Sequence, residues 1–179
     1  MTPVTLDVDA TSITGIWWRH IPRDGDIWYR PPHPADGRWQ RGSLVEGLYL
    51  ADSPETVWAE WYRLLAEYAL RPSIHLPRDL WRWRVELPQA ADLSTPERLN
   101  RVGLDTPPPG RGSWIPYQKI GEQLHGEGWP AIIAPSAARP DEGKILCCFR
   151  TAPIVRGLTP LPPPDAVDDP PPPPRGLRT

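Results

Sequence analysis

The sequence predicts an α+β domain, with mixed, mostly antiparallel sheets and flanking helices, and three observations lead there. Trp81-Arg82-Trp83-Arg84-Val85-Glu86-Leu87 alternates apolar and charged residues with period two, the pattern of an antiparallel strand with one wet face. Two helix starts carry the same sequence of cap, proline and acid, Ser53-Pro54-Glu55 and Thr95-Pro96-Glu97, and stand between strand-like runs. There is no internal repeat, and no regular strand–helix–strand alternation of the kind that builds a doubly wound parallel sheet.

In chain order, residues 1–12, rich in Thr, Asp and Val, are expected to be a loose leader. Residues 15–21 form a strand that delivers Arg19 and His20 just before Pro22. Residues 22–37 hold Pro, Asp, Gly and His, and predict a long loop leading to Arg38. Loops of that length inside a domain are often functional. Residues 47–51 are short and apolar enough for a core strand. The helix opened by Pro54 carries Val57, Trp58, Trp61, Leu64, Leu65 and Tyr68 as one stripe, and Arg71-Pro72 is expected to stop it. Glu60 falls on the flank of that stripe beside Leu64, so periodicity alone describes a solvated glutamate.

Beyond the alternating strand, the Thr95 cap opens a short helix to about Val102, and residues 106–112 are a Pro/Gly loop. Pro116 opens a further helix with Tyr117, Ile120 and Leu124 on its apolar face and Gly126 as its stop. Residues 131–134 are a buried strand running into Pro135-Ser136-Ala137. A turn at Asp141-Glu142-Gly143 leads to a last core strand over residues 144–150. The folded domain is expected over residues 13–158. Residues 159–179 contain much of the chain's 27 prolines and little to bury, and are expected to be an extended, disordered polyproline II tail.

With 179 residues the chain has the length of one domain. A formal net charge of −2 and a pI near 6.1 give no electrostatic footprint for a nucleic-acid backbone. No run of eighteen apolar residues occurs, which predicts a soluble, cytoplasmic protein without a membrane partner. Cys147 and Cys148 are adjacent, alternate in direction along a strand, and are expected as packed core thiols. Most of the ten tryptophans are expected in the core, with some in a pocket wall.

The motifs exclude several chemistries. The four histidines show no HxxxH or HxH pair and no cysteine at ligand spacing, so no metal site is predicted. Ser136 lies in Pro-Ser-Ala without the flanking glycines of a nucleophile elbow. No glycine-rich phosphate loop follows a strand. What remains is Arg19 and Arg38 near strand ends, Tyr49 in a strand, Glu60 in a helix and Ser136 after a strand. Such a set suits a dianionic ligand with a flat ring and a sugar: arginine forks hold phosphate, an aromatic stacks on the ring, and a carboxylate faces the sugar.

Over roughly residues 15–152 the chain resembles the RES domain family. The resemblance is carried by Gly37-Arg38-Trp39, by Gly47-Leu48-Tyr49-Leu50-Ala51 leading to Ala59-Glu60, and by Gly128-Trp129-Pro130-Ala131-Ile132-Ile133-Ala134-Pro135-Ser136-Ala137 with residues 144–149. It implies an ADP-ribosyltransferase-like fold and a toxin of a bacterial toxin–antitoxin pair. That toxin would destroy NAD by hydrolysis or phosphorolysis of the nicotinamide–ribose bond. The implied partner is an antitoxin with a helix-turn-helix part, and homo-oligomerisation is left open. NAD would be substrate rather than cofactor, with inorganic phosphate as the other candidate co-substrate. Carried over residue by residue, Glu60 and Arg38 become catalytic and Arg19, Tyr49 and Ser136 substrate-binding. Glu60 would stabilise the cationic ribose, Arg38 would pair with phosphates, Tyr49 would orient the nicotinamide side, and Ser136 would hydrogen-bond ligand or water. Two departures stand out: Gln40 where asparagine is expected, and His20 where some relatives have an aromatic. Other readings stay open: a protein ADP-ribosyltransferase, an interaction module with a decayed NAD site, or a glycosidase, which would need two paired carboxylates.

Overall fold

The period-two alternation around Trp83 extends in both directions, so that β3 runs Arg78–Asp92 in the computed structural model, which describes residues 5–179. Its outward residues Arg82, Arg84 and Glu86 are exposed, while Trp83 and Val85 are fully buried. β1 (Asp9–Pro22) lies antiparallel to β3 along its whole length, with one irregularity between Thr11 and Ile13. β2 (Glu46–Ala51) pairs antiparallel with β5 (Lys144–Arg150), which pairs antiparallel with β4 (Ala131–Pro135). β4 meets β3 in a short parallel pairing at Ala91 and Asp92. Because β1 also touches β2, at Trp18 and Ala51, the pairings close into a ring: β1, β2, β5, β4, β3 and back to β1.

Three helices cover this sheet. α1 (Pro54–Glu67) starts where Ser53 accepts a hydrogen bond from the Thr56 amide at 3.2 Å, with Pro54 in the first turn where its missing N–H is harmless. α2 (Pro96–Arg101) starts on the Thr95 cap. α3 (Trp114–Gly126) begins two residues before Pro116, which is tolerated inside the first turn because no intrahelical bond is due from its nitrogen. α1 ends earlier than Arg71-Pro72 requires. Ala69 adopts φ 50° and the Leu70 amide reaches back to the Leu65 carbonyl at 2.8 Å, a Schellman-type closure.

The two faces of the sheet make two cores. Trp17, Leu48, Leu50, Trp83, Leu146 and Cys148 fill one, and Trp39, Leu93, Leu99, Leu124, Ile132 and Cys147 fill the other beneath α2 and α3. The adjacent cysteines therefore face opposite sides of β5, both free, with burial pushing the Cys147 thiol up to about 12. A third cluster seats Val57, Trp58, Trp61 and Leu65 of α1 against Ala51 and Leu80.

Two expected boundaries give way. The leader was expected to reach residue 12, yet β1 starts at Asp9, which pairs with Asp92 and is held by Arg101 at 2.6 Å; residues 1–4 of the expected leader lie outside the described residues. Ahead of it, Leu6 and Val8 pack on the second core. The tail is corrected more strongly. Residues 158–167 form β6 (Leu158–Val167), antiparallel to β3 from Arg78 to Val85. Proline is acceptable there because a strand bonded to one neighbour needs fewer N–H groups, and its fixed φ lowers the entropy lost on ordering an extended chain. Past β6, the Tyr62 hydroxyl donates to the Pro171 carbonyl, Arg139 Nε to the Arg175 carbonyl at 2.9 Å, and the Arg178 amide to the Ala138 carbonyl at 2.8 Å.

Candidate active site

A cavity of about 450 Å³ opens where β1, β2, α1 and the Gly37–Trp39 turn meet. Arg19 and His20 of β1, Arg38, Tyr49 of β2, Glu60 and Arg63 of α1, and Arg78 of β3 all line it. A second cavity of about 300 Å³ adjoins it and shares Arg19, Asp36, Gly37 and Tyr49.

Glu60 is held from three directions. Its Oε1 accepts from Ser136 Oγ at 2.6 Å and from the Ala138 amide at 3.3 Å, and its Oε2 accepts from Arg63 Nε at 2.9 Å. The helix brings Arg63 alongside because residues three apart share a face. The Glu60 side chain keeps 26% of its surface accessible, so it is fixed but still open to a ligand. The solvated glutamate that periodicity describes is instead the best-anchored carboxylate of the cavity.

Ser136 is fully buried and outside the cavity lining. Its hydroxyl donates to Glu60 and accepts from the amides of Ala138 and Arg139, at 3.2 and 3.1 Å. The structure therefore brings Ser136 to Glu60 as a positioning group, where a direct hydrogen bond to ligand or water was expected. The loop that follows is fixed by Arg139, whose guanidinium reaches Thr56 Oγ1 at 3.3 Å and Glu142 at 2.6 Å.

Arg38 is also braced. Its two terminal nitrogens donate to Ser113 Oγ at 3.1 Å and to the Pro108 carbonyl at 2.8 Å, and the guanidinium lies over the Tyr117 ring at 5.3 Å. Burial, then the neighbouring Arg63, pull its pKa below the ordinary guanidinium range. The 106–113 loop, seen in the sequence only as a Pro/Gly stretch, is thus what aims this arginine.

Tyr49 ties the turn that presents Arg38. Its hydroxyl accepts from the Trp39 amide at 3.1 Å and donates to Gln40 Oε1 at 2.5 Å, while its ring borders both cavities. Burial holds the phenol well above its usual range, so it stays protonated. Gln40 completes the tie by donating to the Ala35 carbonyl at 3.2 Å. Gly37 is required beside this pair, since a Cβ there would stand 2.3 Å from both Gln40 Oε1 and the Tyr49 hydroxyl. Gly121 of α3 lets the Trp39 carbonyl approach, where a Cβ would come within 1.9 Å.

Arg19, from the end of β1, sits at the junction of the two cavities and makes no hydrogen bond or ion pair with a described residue. Burial, then Arg150, pull its pKa down to about 10. All five residues singled out in the sequence therefore belong to one region. Reasoning from sequence missed Arg63, Arg78, Ser113 and Trp61. Among the described residues no group of three or more His, Cys, Asp or Glu could hold a metal ion, and no helix is long and apolar enough to cross a membrane.

Comparisons with known proteins agree with this fold. The crystal structure of the M. tuberculosis MbcT–MbcA toxin–antitoxin complex contains a chain of similar fold, with a TM-score of 0.68 and 19% identity, covering 89% of this chain and 86% of that one. The search of curated proteins gives no match. The RES domain model matches residues 16–169, spanning the sheet from β1 through β6 and every residue of the site: the chain belongs to the RES domain family.

Proposed function

We propose that this protein is a toxin that degrades NAD by breaking the nicotinamide–ribose bond, with water or phosphate as acceptor, in the cytoplasm and under the control of a cognate antitoxin. One observation carries the reading: the Glu60 carboxylate is locked by Ser136, Ala138 and Arg63 at the wall of a cavity that also presents Arg19, Arg38 and Arg78. The similarity to a chain of a toxin–antitoxin complex supports the biological setting.

The chemistry fits that arrangement. Nicotinamide in NAD leaves as a neutral molecule, taking the electron pair of the C–N bond, so no general acid is needed. Positive charge grows on the ribose and must be stabilised. A carboxylate about 4 Å from that charge contributes about 4 kcal/mol at an effective dielectric near 20, about a thousandfold in rate. A water acceptor then bonds through its oxygen to the ribose carbon and releases a proton to solvent, whereas phosphate bonds through an already anionic oxygen and releases none. Arg38 offers its remaining N–H groups to phosphate oxygens, and the two adjoining cavities suit a ligand in two parts.

The test is release of nicotinamide from NAD by purified protein, with and without inorganic phosphate, beside Glu60→Ala. Wild-type release that falls about a thousandfold in the variant is expected, and dependence on phosphate would name a phosphorylase. Label from NAD appearing on protein would instead indicate transfer to a side chain. No release from folded, inhibitor-free protein would overturn the reading.

A further inference from the structure

Arg38 and Glu60 stand on separate parts of the chain, yet their supports meet at one side chain outside the cavity lining. Glu60, Arg63 and Glu67 follow one another at spacings of three and four along α1, so they share a face of the helix. Arg63 Nε donates to Glu60 Oε2 at 2.9 Å, and its Nη1 donates to Glu67 Oε2 at 3.4 Å. The Arg63 side chain, only 10% exposed, is thus held between two carboxylates.

The other oxygen of Glu67 reaches a different element. Its Oε1 accepts from the Arg111 amide at 2.7 Å. Arg111 belongs to the 106–113 loop, which supplies both acceptors of Arg38, the Pro108 carbonyl and Ser113 Oγ. Pro107, Pro108 and Pro109 have no N–H with which to fasten this stretch, and Gly110 turns it at φ 94°. Arg111 does the fastening at that end. Besides its amide bond to Glu67, its guanidinium lies over the Tyr68 ring at 5.3 Å and the Trp114 ring at 5.2 Å, and donates to the Tyr68 hydroxyl.

The place of Glu67 in its helix is informative. It is the last residue of α1, where exposed carbonyl ends favour a cation, and that turn holds no basic residue. The helix alone gains nothing from a carboxylate there; the bonds to Arg63 and to the loop amide account for it. Arg63 is also the charge that, after burial, most lowers the Arg38 pKa. Glu67 offsets part of that repulsion.

We infer that Glu67 is a positioning residue of the active site, tying the arginine that holds Glu60 to the loop that aims Arg38. The two groups then share one support, and loosening it disturbs both. The inference rests on the reading of Glu60 and Arg38 as the groups that act on NAD, whereas the tie itself is measured without turnover.

Two variants of the full chain separate the two bonds. Glu67→Gln keeps an oxygen for the Arg111 amide and removes the charge facing Arg63; Glu67→Ala removes both. Nitrogen NMR of the arginine side chains reads the tie directly. The hydrogen-bonded Nη protons of Arg38 are expected as separate signals in wild type and Glu67→Gln, and merged in Glu67→Ala. Exchange at the Arg111 amide is expected at least tenfold faster in Glu67→Ala and within a few fold of wild type in Glu67→Gln. In nicotinamide release from NAD, Glu67→Ala is expected to lower kcat/KM about ten- to a hundredfold, through KM as well as kcat, and Glu67→Gln to lower kcat alone by a few fold. Introduced into Arg38→Met, Glu67→Ala is expected to lose its effect on KM, because the residue it acts through is gone. Urea unfolding checks that each variant is folded. Arg38 signals and Arg111 exchange unchanged in Glu67→Ala, or an undiminished KM effect in the Arg38→Met background, would overturn the positioning role. The two readings fail separately. Arg38 signals that respond to Glu67→Ala without any NAD cleavage keep the tie and remove the NAD reading. NAD cleavage with Arg38 signals, kcat and KM all unmoved by Glu67→Ala does the reverse.

Discussion

At the scale of single residues, the hydroxyl of Ser136 matters through Glu60. A 2.6 Å bond to a carboxylate is strong and directional, and its loss leaves both the carboxylate and two loop amides short of a partner. Ser136→Ala is expected to lower the proposed NAD turnover about ten- to a hundredfold with little change in KM, which steady-state kinetics will show. His20 gives a prediction in stability. Its pKa is about 3 folded against 6.5 ordinarily, so the unfolded chain takes up a proton that the native state refuses. The contribution is complete above pH 6.5 and is lost as pH falls toward 3, at about 1.4 kcal/mol per pH unit. In urea unfolding between pH 6.5 and 4.5, His20→Phe is expected to lose less stability than wild type. Residue identities were partly legible beforehand. Arg63 could have been found, because it lies one helical turn from Glu60. Arg78 and Ser113 could not, since β1–β3 pairing and the docking of the 106–113 loop bring them in from distant sequence.

At the scale of elements, the chain announces what is decided locally. Ser53 and Thr95 cap their helices because the chemistry of a cap is contained within four residues, and β3 follows from its alternation. The start of α3 is less visible, since a proline inside a first turn looks like the first residue of a helix. The end of α1 is set by Ala69 in the left-handed region, a conformation that favours glycine. Ala69→Gly is therefore expected to raise stability by about 1 kcal/mol, visible as a higher denaturation midpoint with an unchanged slope.

At the scale of the whole molecule, the proline-rich segment changes meaning. Its composition suggests disorder because it buries little, yet β6 takes the free edge of β3 and residues 171–178 run back over α1 and the Ser136 loop. No local signal reports a pairing with a strand some eighty residues away. Deleting residues 170–179 removes the contacts to Tyr62, Arg139 and Ala138. Stability is expected to fall by about 1–2 kcal/mol, with faster hydrogen exchange at the Arg139 amide. The larger deletion of residues 159–179 takes β6 with it and is expected to yield no folded protein.

The return of residues 171–178 to the Ser136 loop also orders events in time. A ribosome makes Arg19, Glu60, Arg78 and Ser136 before it makes the carbonyl and amide that tether Arg139 and Ala138. While that stretch is still being synthesised, the loop that aims Glu60 has its ligating atoms but lacks its outer restraint. An emerging chain thus acquires the ligands of Glu60 before the contacts that restrain their loop.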